Sequence, residues 1–123
     1  MPPVSRSRRA LLAGVLVLAL SPRQSQAHAI LEASQPAAGA AIPAGSITLT
    51  LRFNSRIDRA RSRLTLTKPD HTKAAVPIDP DGPPEILTAT LTLTPGDWSV
   101  RWQVLAVDGH ITRGDVPFTV TGH

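Results

Sequence analysis

Hydrophobic and polar residues alternate with a period of two over much of the chain beyond residue 45. Ile47, Leu49, Leu51 and Phe53 fall on one face, and Thr48, Thr50 and Arg52 on the other. Successive side chains of an extended chain point to opposite faces, so this segment predicts a half-buried strand. Arg63 to Thr67 repeats the pattern through Leu64 and Leu66, and Val76 and Ile78 suggest another short strand. Leu87, Ala89, Leu91 and Leu93 then alternate with four threonines. Trp98, Val100, Trp102 and Val104 form the next inward set, and Val116, Phe118 and Val120 the last. Turn formers separate these runs: Lys68-Pro69-Asp70-His71, Asp79-Pro80-Asp81-Gly82-Pro83-Pro84, and Pro95-Gly96-Asp97. No helix or central strand tolerates such proline clusters. The stretch from His28 to Gly45 is rich in Ala, Pro and Gly and reads as an extended N-terminal strand followed by turns. Arg56 to Arg63 is charged and lacks the apolar stripe a helix needs. About seven short strands at this spacing predict an all-β fold, two packed sheets joined by Greek-key connections.

The first 27 residues stand apart from that pattern. Arg6, Arg8 and Arg9 precede an uncharged apolar run from Ala10 to Leu20, and Ser25-Gln26-Ala27 supplies small residues of the kind a signal peptidase reads. The run is too short to span a bilayer and has no amphipathic face, so residues 1–27 are expected to be a secretory signal peptide. Ser7-Arg8-Arg9 also fits a twin-arginine leader, which leaves the export route, Sec or twin-arginine, open. The expected mature domain is residues 28–123.

Removing the signal changes the charge argument. The chain has 13 Lys and Arg against 9 Asp and Glu, and Arg6, Arg8, Arg9 and Arg23 leave with the signal. Nine basic residues then face nine acidic ones, so the domain has no basic excess to favour nucleic acid. No second long apolar run follows, so no membrane segment is expected in the mature domain. There is no cysteine. A domain of this size must therefore be held by packing alone, or by packing plus a ligand.

Four histidines remain in the mature domain. His71 sits in the Pro-Asp-His turn and reads as a solvated loop residue, and His123 is the last residue. His28 is different, because cleavage after Ala27 would give it a free α-amine. The amine and the Nδ1 of one N-terminal histidine can chelate a single metal ion. Both groups lose their protons near neutrality when a metal competes. Two nitrogens in that arrangement favour Cu(II), which heads the divalent series and accepts tetragonal N,O sites. Asp108-Gly109-His110 is the second element. In an extended segment its two side chains would face the same side, although Asp-Gly also marks hairpin turns.

Taken together these motifs resemble the CopC copper-resistance family. His28-Ala29, Pro36-Ala37-Ala38-Gly39-Ala40, the strand ending in Phe53, Trp98 to Val104, Asp108-Gly109-His110 and Gly114 to Val120 follow the family's order over the whole mature domain. The resemblance implies an immunoglobulin-like Greek-key β-sandwich or barrel. It also implies a Cu(II) site made by His28, Asp108 and His110, with the amine and two imidazoles as nitrogen donors and Asp108 supplying an oxygen. By the same resemblance the protein is a monomeric, periplasmic, non-enzymatic copper-binding protein of copper homeostasis and resistance, which sequesters or carries the ion. Its expected partner is an inner-membrane copper protein of the CopD type. Two departures stand out. Many relatives carry a glutamate shortly after the phenylalanine, where this chain has Asn54-Ser55-Arg56, so a carboxylate that would orient the amine is missing. The methionine-rich Cu(I) site of some relatives has no counterpart, since Met1 is the only methionine. Two other functions compete: a histidine-brace copper monooxygenase or oxidase, and a metal-free immunoglobulin-like interaction module.

Overall fold

A computed structural model describes residues 29–122, and the expected signal segment (residues 1–27), His28 and His123 lie outside them. Eight strands run in chain order: β1 (Leu31–Gln35), β2 (Ala41–Pro43), β3 (Gly45–Phe53), β4 (Arg63–Thr67), β5 (Lys73–Val76), β6 (Ile86–Leu93), β7 (Gly96–Leu105) and β8 (Ile111–Thr121). They form two sheets, one ordered β1-β3-β6 and the other β2-β8-β7-β4-β5. The chain crosses between sheets after β1, β2, β3, β5 and β6, which makes this an all-β Greek-key sandwich. Among the described residues no helix is long and apolar enough to cross a membrane.

The alternating segments became strands because each has an apolar face to bury. Leu49, Leu51 and Phe53 of β3 and Leu87, Ala89, Leu91 and Leu93 of β6 face Leu64, Leu66, Val100, Trp102, Val104, Val116, Phe118 and Val120 of the other sheet in one core. The intervening threonines face outward or remain half-buried, where β-branched side chains suit a pleated surface. Phe53 and Trp102 meet edge to face across the two sheets, with ring centroids 5.2 Å apart. Opposite Trp102 on β8 stands Gly114. The indole lies where a side chain at that position would go.

The structure changes the sequence reading at three places. The N-terminal turn region contains a further strand: β2 is too short to show a period, and it pairs in parallel with β8. Gly39, at φ 80°, turns the chain toward it and donates its N–H to Pro117 O at 2.7 Å. Ile78 is not in a strand, since β5 ends at Val76, but it packs against the core. The charged stretch after Phe53 holds a single 3-10 turn, Arg59–Arg61, capped by Asp58, which accepts the Arg61 N–H at 3.2 Å.

Candidate functional site

The longest antiparallel pair in the molecule, β7 with β8, ends in a loop at the Leu105–Ile111 pair. That loop carries the Asp108-Gly109-His110 triplet. It is not the extended segment that the two-residue spacing suggested. Gly109 N donates to Ala106 O at 2.9 Å, Ala106 N donates to His110 O at 2.8 Å, and Gly109 takes φ 92°. The triplet is thus a hairpin turn, and glycine meets the left-handed conformation without a Cβ penalty.

The turn still brings the two side chains together, by local bonding rather than by strand alternation. Asp108 Oδ1 accepts the His110 backbone N–H at 3.1 Å, and Asp108 Oδ2 lies 2.9 Å from His110 Nδ1. A carboxylate on Nδ1 holds the neutral imidazole in the tautomer whose lone pair is on Nε2, the arrangement that favours metal binding there. The His110 side chain is 56% exposed and that of Asp108 27%, so the pair sits at the surface with the carboxylate partly sheltered. Among the described residues no group of three or more His, Cys, Asp or Glu side chains forms a metal cluster. The third candidate, His28, lies outside the described residues, and so does His123.

The surroundings of the pair come from three chain segments. Ile57 bridges to Ala106, Asp58 N donates to Leu105 O at 2.8 Å, and Val107 N donates to Arg56 O at 3.4 Å, so the segment after β3 braces the hairpin loop. The segment before β1 is fastened to both. Thr112, two residues after His110, donates its hydroxyl to Ala29 O at 2.8 Å. Ile30 N donates to Asn54 Oδ1 at 2.8 Å, and Asn54 N donates to Ile30 O at 3.0 Å. Sequence reading missed both anchors. Asn54 drew notice only as part of the stretch that lacks a glutamate. Thr112 lies in no motif, and its role depends on a contact with a residue 83 positions away. The exposed large hydrophobic residues among those described, Ile30, Val107 and Ile111, all border this site. In the same stretch after Phe53, Ser55 Oγ is buried with no hydrogen-bond partner among the described residues.

His71 lies far from the pair. It sits at φ 71° in the turn between β4 and β5. Thr67, where β4 ends, pairs with Ser99, six residues before the Leu105 end of β7. At the rise of a strand this is roughly 20 Å. In that turn the Thr72 hydroxyl and then its backbone N–H donate to Asp70 and hold the exposed carboxyl below the usual aspartate value.

A sandwich of these two sheets, with a surface Asp–His pair on the β7–β8 hairpin, defines a small all-β domain of immunoglobulin-like type. The CopC domain model matches residues 31–121, and the chain belongs to that family. The match runs from β1 to the end of β8 and includes Asp108 and His110, but it begins after His28. Protein YobA of Escherichia coli (strain K12) is 33% identical over 124 residues, covering 98% of this chain and 99% of YobA. Among solved structures, CopC from Methylosinus trichosporium OB3b is 28% identical with a TM-score of 0.70, over 78% of this chain and 96% of that one. PcoC, a methionine-rich copper resistance protein from Escherichia coli, is 27% identical with a TM-score of 0.60, over 77% of this chain and 100% of its own.

Proposed function

We propose that this protein is an exported, non-catalytic copper-resistance protein that binds one Cu(II) ion as cargo. Residues 1–27 act as the signal, and cleavage before His28 creates the α-amine that completes the site. The ion is held by the amine and imidazole of His28, by Nε2 of His110, and by an oxygen of Asp108, whose carboxylate turns away from its metal-free contact with His110 Nδ1 to reach the ion. Three nitrogens and an oxygen suit the tetragonal preference of Cu(II). The observation that carries the reading is the Asp108–His110 pair, whose 2.9 Å contact orients a surface imidazole on a loop beside the chain segment that follows His28. Membership of the CopC family and likeness to PcoC, itself a copper resistance protein, support the cargo.

The sequence also bears on the oxidation state of the ion. With no cysteine, and with Met1 as the only methionine, the chain lacks the soft sulfur ligands that select Cu(I). We place the protein in the periplasm as a monomer that sequesters copper or passes it to an inner-membrane protein of the CopD type. Intact mass and Cu(II) titration on protein recovered from the exported fraction test the reading together. The expected result is a chain beginning at His28 that binds one equivalent of Cu(II). A different N-terminus, or no tight Cu(II) binding, would leave the metal-free module as the better account.

A further inference from the structure

Residues near a chain end normally fray unless something ties them down. Here the two residues before β1 are tied outside any strand ladder. Ala29 is buried and gives its carbonyl to the Thr112 hydroxyl at 2.8 Å. Ile30 is gripped from both sides of its peptide unit by Asn54, whose side-chain oxygen takes the Ile30 N–H at 2.8 Å and whose own N–H reaches Ile30 O at 3.0 Å. These anchors also belong to the segments that shape the Asp108–His110 loop. Thr112 follows His110 by two residues on β8, and Asn54 leads into Arg56, whose carbonyl accepts the Val107 N–H beside Asp108. Hydrogen bonds therefore link the three segments in a ring: Thr112 to Ala29, Ile30 to Asn54, and Arg56 to Val107.

We infer that Asn54 and Thr112 are positioning residues for the copper site, holding Ala29 and Ile30, the residues that follow the proposed N-terminal ligand, against the segments that shape the His110 loop. The inference rests on the function proposed above. A chelating terminus contributes fully only when it is already ordered near the remaining donors. Apparent affinity otherwise falls by the fraction of molecules in the competent arrangement. No disulfide can impose that order, because the chain has no cysteine. Two side-chain hydrogen bonds take that role. Neither residue touches the ion, so each acts through the backbone it holds.

The test uses the processed chain beginning at His28, with Asn54→Leu, the near-isosteric Thr112→Val, and both together. Asn54→Asp and Thr112→Ser serve as rescues, since each keeps the oxygen that makes the bond. Every variant is also made with one alanine added before His28, which converts the amine to an amide. Cu(II) affinity is read by competition titration, and exchange of the Ile30 amide is read in the metal-free protein. Each single substitution is expected to weaken Cu(II) binding roughly 5- to 10-fold and the pair roughly 50-fold, as expected for one net hydrogen bond each. Ile30 exchange should speed up with Asn54→Leu, and the rescues should return both readouts toward the parent. In the alanine-extended background, where the amine chelate is absent, the same substitutions should change affinity less than about twofold. Faster Ile30 exchange with unchanged Cu(II) affinity in the processed chain would overturn the inference and leave Asn54 a purely structural residue. Equal affinity of the parent chain with and without the added alanine would instead overturn the chelate itself, and the inference with it.

Discussion

Gly114→Ala asks how much of the fold depends on one missing side chain. Gly114 lies on β8 opposite Trp102 of β7, and a Cβ built there would stand 2.6 Å from Trp102 Cε2 and 2.9 Å from Nε1. Real Cβ atoms do not approach that closely, so the indole or the strand must move. The indole has little freedom, since Trp102 is only 7% exposed and its ring meets Phe53 edge to face. Gly114 does not take a positive φ, so alanine itself adds no backbone strain. Overpacking of a well-filled core costs about 1–3 kcal/mol. The stiffer unfolded chain returns about 0.4–1 kcal/mol. A net loss of about 1–2 kcal/mol lowers the melting temperature of a domain this size by roughly 4–16 °C. Thermal unfolding followed by far-ultraviolet circular dichroism reads that shift, and the near-ultraviolet tryptophan bands report the displaced indole. Gly122→Ala is the control, because its Cβ would meet only Pro95 Cγ at 3.9 Å. If Gly114→Ala melts with the parent and keeps the parent's tryptophan bands, the packing account of β7 and β8 is wrong.

Other consequences can be checked individually. His110→Ala should cost more Cu(II) affinity than Asp108→Asn, because the amide keeps an oxygen for the His110 N–H while the alanine removes a nitrogen donor; His71→Ala, at the other end of β7, should change nothing, and an equal loss there would misplace the site. Nuclear magnetic resonance titration should place Asp70 below the ordinary value of 3.8, and Thr72→Val should return it upward. Because its folded pKa is depressed, whatever stability Asp70 adds is present above the unfolded value and is lost as pH falls through the folded one. An Asp70 midpoint unmoved by Thr72→Val would show that the hydroxyl bond is not its cause.

The sequence revealed most of the sheets and only part of the site. In β3, β6 and β7, apolar residues alternate with polar ones over seven positions each, 47–53, 87–93 and 98–104, long enough for the period to be unmistakable. β2 has three residues and one half-buried side chain, Ile42, so no period could mark it; only its parallel pairing with β8 makes it a strand. Asp108 and His110 were legible as a pair because their types and spacing suit a metal. The geometry that unites them was less so, since Asp-Gly-His allows both a strand and a turn, and the Ala106–His110 hydrogen bond selects the turn. Asn54 and Thr112 left no local signal, because a hydrogen bond to a distant backbone group depends on how the sheets close rather than on neighbouring residues.

The central claim is that copper binding depends on the amine released at His28. Adding one residue before His28 leaves every strand from Leu31 to Thr121 in place but turns that amine into an amide, which coordinates copper only by losing a further proton. Competition titration of Cu(II) against the processed and extended chains, with circular dichroism confirming the same fold, measures the difference directly. The account predicts an affinity lower by several orders of magnitude in the extended chain, and a copper electron paramagnetic resonance spectrum with fewer nitrogen couplings. Equal affinity and identical spectra in the two chains would contradict it.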